Sequence, residues 1–407
     1  MNFLFAWRYF KAKKSTNAIN IIAWISIVAI MVGAAALILV LSVFNGFEDL
    51  VKSLYSSFYP DFRITPVQGK TLTLTQQQLT RIRGIRGIQE LSLTVEEKAL
   101  LQNGEYQSIV YLKGVDAAYQ RVNTVADHIV KGVFELGTAE APLLVLGAGV
   151  ENAIGVQSDR NLSPLLAYLP RKGSVDLSDP LQSVSADTLN TSGAFVIQQD
   201  FDDKYALTNL AFMKSMLELP EDAYSAAEIK ITSAEDADDI EEALKASLGS
   251  HYLVQDRYEQ NRSLYAVMRA EKWVIYAILS LILVVAAFNM IGSLTMLVLE
   301  KKEDISVLHA LGASRRTIQN IFISEGFLLA FIGGGVGILI ALGLALAQIQ
   351  YKLIPLTGGS FLIDYFPVKL NPWDFALVIG TIIVIALVAS YIPARKAAQQ
   401  QLLLREE

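Results

Sequence analysis

Side chains able to do chemistry are few and scattered in this chain. The three histidines, His128, His251 and His309, fall in no H-E-x-x-H or other metal-ligand spacing, so they read as surface or capping residues. Gly69-Lys70-Thr71 resembles the end of a phosphate loop, yet the glycine required five positions earlier is Ile64, which removes the backbone cradle a phosphate needs. Glu96-Glu97 and Asp202-Asp203 carry the groups for acid–base work, but in so acidic a segment such pairs read as a solvated face. There is no cysteine, hence no disulfide, thiolate metal site or cysteine nucleophile, and no G-x-S-x-G elbow. The residues point away from an enzyme: no catalytic residue, no metal site and no cofactor of its own.

The elements that would position any site are mostly apolar. Of 407 residues 53% are hydrophobic and 18% charged, below the charge fraction of about 25% usual in soluble proteins, and mean hydropathy is +0.39. A disordered chain and an ordinary cytosolic enzyme are excluded. The net charge of -6 and pI near 5.3 argue against nucleic-acid binding. Four charge-free runs, Ser15 to Phe47, Trp273 to Leu299, Gly326 to Tyr351 and Phe375 to Ala394, each reach the about 20 apolar residues that cross a bilayer. The first is too long for the apolar region of a cleavable signal peptide. The expected fold class is an α-helical membrane protein with four transmembrane helices plus a large α+β extracytoplasmic domain between helices 1 and 2.

Orientation follows from lysine and arginine near the helix ends. Arg8, Lys11, Lys13 and Lys14, then Lys301, Lys302, Arg315 and Arg316, then Arg395, Lys396 and Arg405 put both termini and the middle loop in the cytosol. The expected layout is a cytosolic amino-terminal segment (1–18), transmembrane helix 1 (19–47), an extracytoplasmic α+β domain (48–272), transmembrane helix 2 (273–299), a cytosolic helix (300–316), transmembrane helix 3 (317–351), a short outer loop (352–374), transmembrane helix 4 (375–394) and a cytosolic tail (395–407). The outer domain carries a net charge of -11. Within it, Ser108 to Val115 and Ala194 to Gln198 read as strands, and Asp236 to Leu248 as a helix with Gly249 closing it. Between Leu169 and Ser192 periodicity fails and Pro, Gly, Ser and Asp dominate, which predicts a protruding loop or hairpin.

The informative features are mechanical. Glu300 to Arg316 predicts a short amphipathic helix, with Ile305, Leu308 and Leu311 on one face, Lys301, Lys302, Glu303 and Asp304 at its start, and Gly312 at its end. Pattern alone leaves it open between a helix lying in the headgroups and one inserting into a groove on a cytosolic partner. Gly333, Gly337, Ala341 and Ala345 recur every fourth residue, a stripe that lets another helix approach closely, within the chain or between protomers. Glu325 reads as a capping or pairing acid, and Tyr351, Lys352 and Trp373 as interfacial anchors.

NMIGSLTMLVLEKKEDISVLHALGAS (Asn289 to Ser314) followed by IFISEGFLLAFIGGGVG (Ile321 to Gly337) resembles the signature region of the permeases of the MacB/FtsX superfamily, specifically the LolC/LolE lipoprotein-releasing type. RYFKAKKS…ISIVAIMVG…LVLSVFNGFE (Arg8 to Glu48) and SYIPARKAA (Ser390 to Ala398) are similar to that family's opening and closing motifs. Two departures stand out: no proline follows Ala398, and Arg257 stands where the family has a tryptophan.

The resemblance implies an ABC transporter permease of the bacterial inner membrane without its own nucleotide-binding site. ATP and Mg would be bound by a partner, a cytosolic ATPase of the LolD type, at a coupling helix formed by Glu300, Lys301, Lys302, Asp304, Ile305, Leu308, Leu311 and Gly312. A second permease chain, identical or related, would pair with it around a cavity for lipoprotein, placed here at Ile38, Leu41, Phe44, Phe288 and Met290. A periplasmic carrier of the LolA type would dock on Pro170, Arg171, Lys172 and Pro180. An FtsX-like regulator of cell-wall hydrolases and a MacB-like exporter share the four-helix plan. A receptor whose outer domain only binds would need no coupling helix.

Overall fold

The computed structural model describes residues 17–160, 164–171, 184–356 and 365–399. These form two compact units, one made of 17–50, 266–356 and 365–399 and the other of 51–265.

The first unit is helical. Its elements are α1 (Asn17–Phe58), α2 (Arg262–Glu300), the short α3 (Lys302–Ala310), α4 (Arg315–Tyr351) and α5 (Pro372–Ala398). Among the described residues, α1, α2, α4 and α5 are the helices long and apolar enough to cross a membrane. At about 1.5 Å per residue they measure about 40 to about 63 Å, against a hydrocarbon core of about 30 Å. All four are longer than a charge-free run predicts. α1 continues past Phe47 through Glu48, Asp49 and Lys52 to Phe58, and α2 begins at Arg262 rather than Trp273. Charge ends an apolar run but not a helix, because the backbone ladder needs no apolar side chains once water is available.

Leu37 and Leu41 of α1, Met290 of α2, Phe322 of α4 and Ala386 of α5 meet in the core of this unit. The small-residue stripe of α4 packs on α1 within the chain. A Cβ added at Gly333 would lie 2.7 Å from the Ile27 carbonyl oxygen, one at Gly337 would strike the Met31 carbonyl, and Ala341 and Ala345 are buried. On another face Gly326 makes room for Ser390 of α5.

The second unit is α+β. Its described strands are β1 (Phe62–Pro66), β2 (Leu72–Thr73), β3 (Ile88–Asn103), β4 (Tyr106–Val115), β5 (Ile129–Gly132), β6 (Leu143–Gly147), β7 (Leu165–Pro170), β8 (Val184–Phe195), β9 (Tyr205–Asn209), β10 (Ala223–Tyr224), β11 (Ala226–Ile231) and β12 (Tyr252–Asp256). The main sheet runs β12-β1-β11-β3-β4-β9-β6-β8-β5, with β7 bridging β3 and β8. Pairing is antiparallel except at β4 with β9 and β6 with β8. Helices Gln76–Arg83 and Ala237–Leu248 bury Leu79, Ile82, Ile240 and Leu244 against one part of this sheet. Phe212 and Met213 cover another part.

The strand predicted at Ser108 to Val115 lies inside β4, and that at Ala194 to Gln198 contributes only its first two residues to β8. The helix predicted from Asp236 starts at Ala237 and ends before Gly249, whose φ of +76° suits glycine. The stretch from Leu169 to Ser192 is less irregular than its composition suggests. Pro170 pairs with Val184 and Leu165 with Leu189, so β7 and β8 are the arms of a hairpin. A ladder to β7 along Val184–Leu189 and one to β6 from Asn190 onward hold its Asp187 and Asn190 in strand despite weak propensity. Buried under the sheet, Lys113 Nζ lies 2.7 Å from Glu228 Oε1, and Asn123 Nδ2 donates to Glu228 Oε2 at 2.8 Å. Arg257, the unexpected residue, pairs with Asp61 at 2.9 Å and ties the end of β12 to the start of β1.

Candidate functional site

The turn between α2 and α4 holds the first candidate. α2 ends at Glu300, Lys301 leaves the helical path with ψ of 14°, and Lys301 Nζ then pairs with Asp304 at 3.1 Å in the first turn of α3. α3 is shorter than the 300–316 expected. Leu311 and Gly312 close it, with φ +89° at Gly312, and Ser314 caps α4 by accepting from the Thr317 N–H at 3.2 Å. The apolar residues of α3 do not share one outward face. Ile305 is buried in the core of the chain's own helices, Leu308 is half-buried, and Val307 and Leu311, the latter 79% exposed, point outward. A helix this short has about two and a half turns, so one apolar side must anchor it before another can be offered to a partner. Lys302 and Glu303 are exposed beside that outward face.

The residues expected to line a cavity are not brought together on an open face of this chain. Ile38, Leu41 and Met290 are buried in its own helix core, Phe44 is half-buried, and Phe288 is 68% exposed. Periodicity identifies an apolar helix without saying which side meets neighbouring helices. Of the expected docking residues, Pro170 ends β7 and Arg171 donates from Nε to Ser185 Oγ at 3.1 Å. Lys172 and Pro180 lie outside the described residues.

A second constellation was not foreseen. Asn45, near the end of the apolar run of α1, donates from Nδ2 to Asp374 Oδ2 of α5 at 2.5 Å. Its Oδ1 accepts from Lys272 Nζ of α2 at 2.8 Å. Lys272 and Asp374 complete the triangle at 3.1 Å. The same stretch of α1 grips the segment leading into α5: Lys369 N–H donates to the Ser42 carbonyl at 2.9 Å, Lys369 pairs with Asp49, and the rings of Phe47 and Phe366 meet edge to face at 5.8 Å. Three helices are thereby clasped by polar and charged groups that are satisfied where burial would otherwise penalise them. The only hint in the sequence was a polar Asn45-Gly46 interrupting an apolar span.

Several other titratable groups are explained locally. His128 Nε2 contacts Ser57 Oγ at 3.0 Å, and no group of potential metal ligands exists among the described residues. Glu96 pairs with Arg63 and Glu97 with Lys70, so the acidic pair is bound up in ion pairs. Asp202 accepts the Ile197 N–H at 2.9 Å, and burial pushes its carboxyl up to about 6. Glu90 is held below its ordinary value by the Arg121 guanidinium. Neither sits beside a nucleophile or second acid arranged for catalysis.

Residues 276–402 match the family model described as FtsX-like permease C-terminal, and residues 23–161 the MacB-like periplasmic core domain. The chain is 26% identical over 419 residues to the lipoprotein-releasing system transmembrane protein LolE of Haemophilus influenzae, spanning 98% of this chain and 97% of that one. It is 27% identical to LolC of Neisseria meningitidis, covering 97% of each, and 24% identical to LolC of Xylella fastidiosa, covering 97% of this chain and 95% of the relative. The α+β unit between the first two long helices, the short helix between the next two and the likeness over nearly the whole length agree: the chain belongs to the MacB/FtsX superfamily of permeases and is of its LolC/LolE type.

Proposed function

We propose that the chain is a permease subunit of an inner-membrane ABC transporter that releases lipoproteins, driven by ATP hydrolysis on a separate subunit. Its four long helices span the membrane with both termini in the cytosol, and the 51–265 unit faces the periplasm. It works beside a second permease chain, with an ATPase of the LolD type below and a carrier of the LolA type docking at Pro170 and Arg171, where β7 ends.

Energetics require the ATPase. Moving acyl chain from lipid to water costs about 0.8 kcal/mol per CH₂, so three chains of about 15 methylenes cost about 35 kcal/mol if extracted bare. An apolar path between permease chains lowers that cost, and nucleotide-driven closure at the cytosolic ends pushes the cargo outward. The chain contributes the lever of this mechanotransmission. α3 sits between α2 and α4, and force applied to it reaches both helices through Ile305.

The observation that carries the reading is α3, anchored by Ile305 and exposing Val307 and Leu311 at a turn flanked by Lys301, Lys302, Arg315 and Arg316. Co-purification tests it. The wild-type chain, extracted in mild detergent, brings down an ATP-binding subunit and supports ATP-dependent release of a lipoprotein from proteoliposomes to added carrier. An associated ATPase without release would instead favour the cell-wall regulator, and absence of any ATPase would overturn the reading.

A further inference from the structure

Beside the Asn45–Lys272–Asp374 triangle lies a cavity of about 370 Å³, within the ~300–1,000 Å³ usual for small-ligand sites. Lys272, Asp374 and Asn371 supply its polar lining, while Trp273, Tyr276, Trp373 and Leu377 supply aromatic and apolar surface. Trp273 and Tyr276 stand edge to face at 5.8 Å, and Trp373 is 81% exposed at the first turn of α5. Tryptophan and tyrosine at the ends of bilayer-length helices mark the level of the lipid headgroups. A site with both polar and aromatic or apolar lining suits an amphiphile.

The charges select among amphiphiles. Lys272 carries three N–H donors, and its contacts to Asn45 Oδ1 and Asp374 use two. Asp374 retains acceptor capacity beyond its bonds to Asn45 and Lys272. A purely anionic headgroup would meet the Asp374 carboxylate beside the ammonium that attracts it. A zwitterion places its phosphate on the third Lys272 donor and its own ammonium on Asp374, so the four charges alternate in sign. We propose that this cavity binds the headgroup of a zwitterionic glycerophospholipid whose amine keeps its N–H donors, a phosphoethanolamine lipid. A triacylated lipoprotein offers neither a phosphate nor a free amine at its lipid end, so this ligand is not the cargo. The inference rests only on the helices spanning a bilayer, and not on the coupling surface.

The test is native mass spectrometry of the full chain, purified, delipidated and titrated with phosphatidylethanolamine or phosphatidylglycerol. The expected result is one phosphatidylethanolamine per chain, retained about tenfold more tightly than phosphatidylglycerol, the factor one charge-assisted hydrogen bond supplies. Trp373→Ala, whose side chain takes no part in the clasp, lowers retention of the ethanolamine lipid several-fold, about what an exposed aromatic wall contributes. The double variant Lys272→Met/Asp374→Leu, which leaves no lone buried charge, abolishes the preference. Equal retention of both lipids by the wild type, or an undiminished preference in both variants, overturns the proposal. Associated ATPase is scored in the same preparations, so equal retention of both lipids by the wild type with the ATPase still present refutes the site and leaves the transporter reading standing.

Discussion

The backbone at Pro367 and Val368 fills the space that a side chain at Gly46 would need: a Cβ built on Gly46 would stand 2.7 Å from the Val368 nitrogen and closer still to the Pro367 carbonyl. Gly46 is helical, so its role is close approach rather than an unusual backbone angle. Its neighbours make the contact specific, since Asn45 bonds to Asp374 and Phe47 meets Phe366.

Gly46→Ala is therefore expected to push the 366–369 segment off α1. Overpacking of this kind costs about 1–3 kcal/mol, here with the Lys369 N–H to Ser42 bond at risk as well. The melting temperature of the detergent-solubilised protein reads the effect. Gly335→Ala, on α4 in open space, is the control and should not lower it, because alanine is the better helix former by about 1 kcal/mol.

The clasp should also behave as a unit. Lys272→Met or Asp374→Leu alone strands one charge of a largely buried pair, whereas the double variant strands none. Each single change should lower stability by more than the double change does. The coupling term of the thermodynamic cycle should reach about 1–3 kcal/mol, and a coupling near zero would show that the triangle is held by Asn45 alone.

Asp202 gives a pH dependence with a definite sign. Its carboxyl is raised by burial to about 6, so between its ordinary value near 4 and about 6 the folded protein holds a proton the unfolded chain has released. Stability from this residue is present below that window and falls as pH rises through it. The melting temperature of the detergent-solubilised protein should carry this downward contribution between pH 4.5 and pH 7. Asp202→Asn, which keeps an acceptor without the charge, should flatten that dependence.

How legible these features were depends on the range over which they act. The long helices can be read from local sequence because lipid requires about 20 consecutive apolar residues, and the α+β character of the 51–265 unit shows through β4 and the helix Ala237–Leu248. Helix ends are less legible, since Glu48–Phe58 is helical without being apolar. The clasp left only the polar Asn45-Gly46 in an apolar span as a trace, and its partners could not be read. Lys272 lies 227 positions from Asn45 and 102 from Asp374, and no local pattern relates them. The face of α3 failed for another reason: Ile305, Leu308 and Leu311 share a helical side in projection, but nine residues are too few for periodicity to show which of them face the chain's own core.

That division of α3 yields the sharpest separation of folding from coupling. Ile305 is 2% exposed in the helix core and Leu311 is 79% exposed. Ile305→Asp places an unpaired carboxylate where it cannot be solvated, a change costing several kcal/mol, and should reduce the yield of folded protein and its melting temperature. Leu311→Asp puts the same charge in water, where surface substitutions change stability by about 0.5 kcal/mol or less, so folding and membrane insertion persist. If α3 is the coupling surface, Leu311→Asp nevertheless loses the co-purifying ATPase, because burying a carboxylate in an apolar interface groove penalises binding. Leu311→Met, which keeps apolar bulk, should retain it. Retention of the ATPase by a well-folded Leu311→Asp protein would move the coupling surface elsewhere on the cytosolic side.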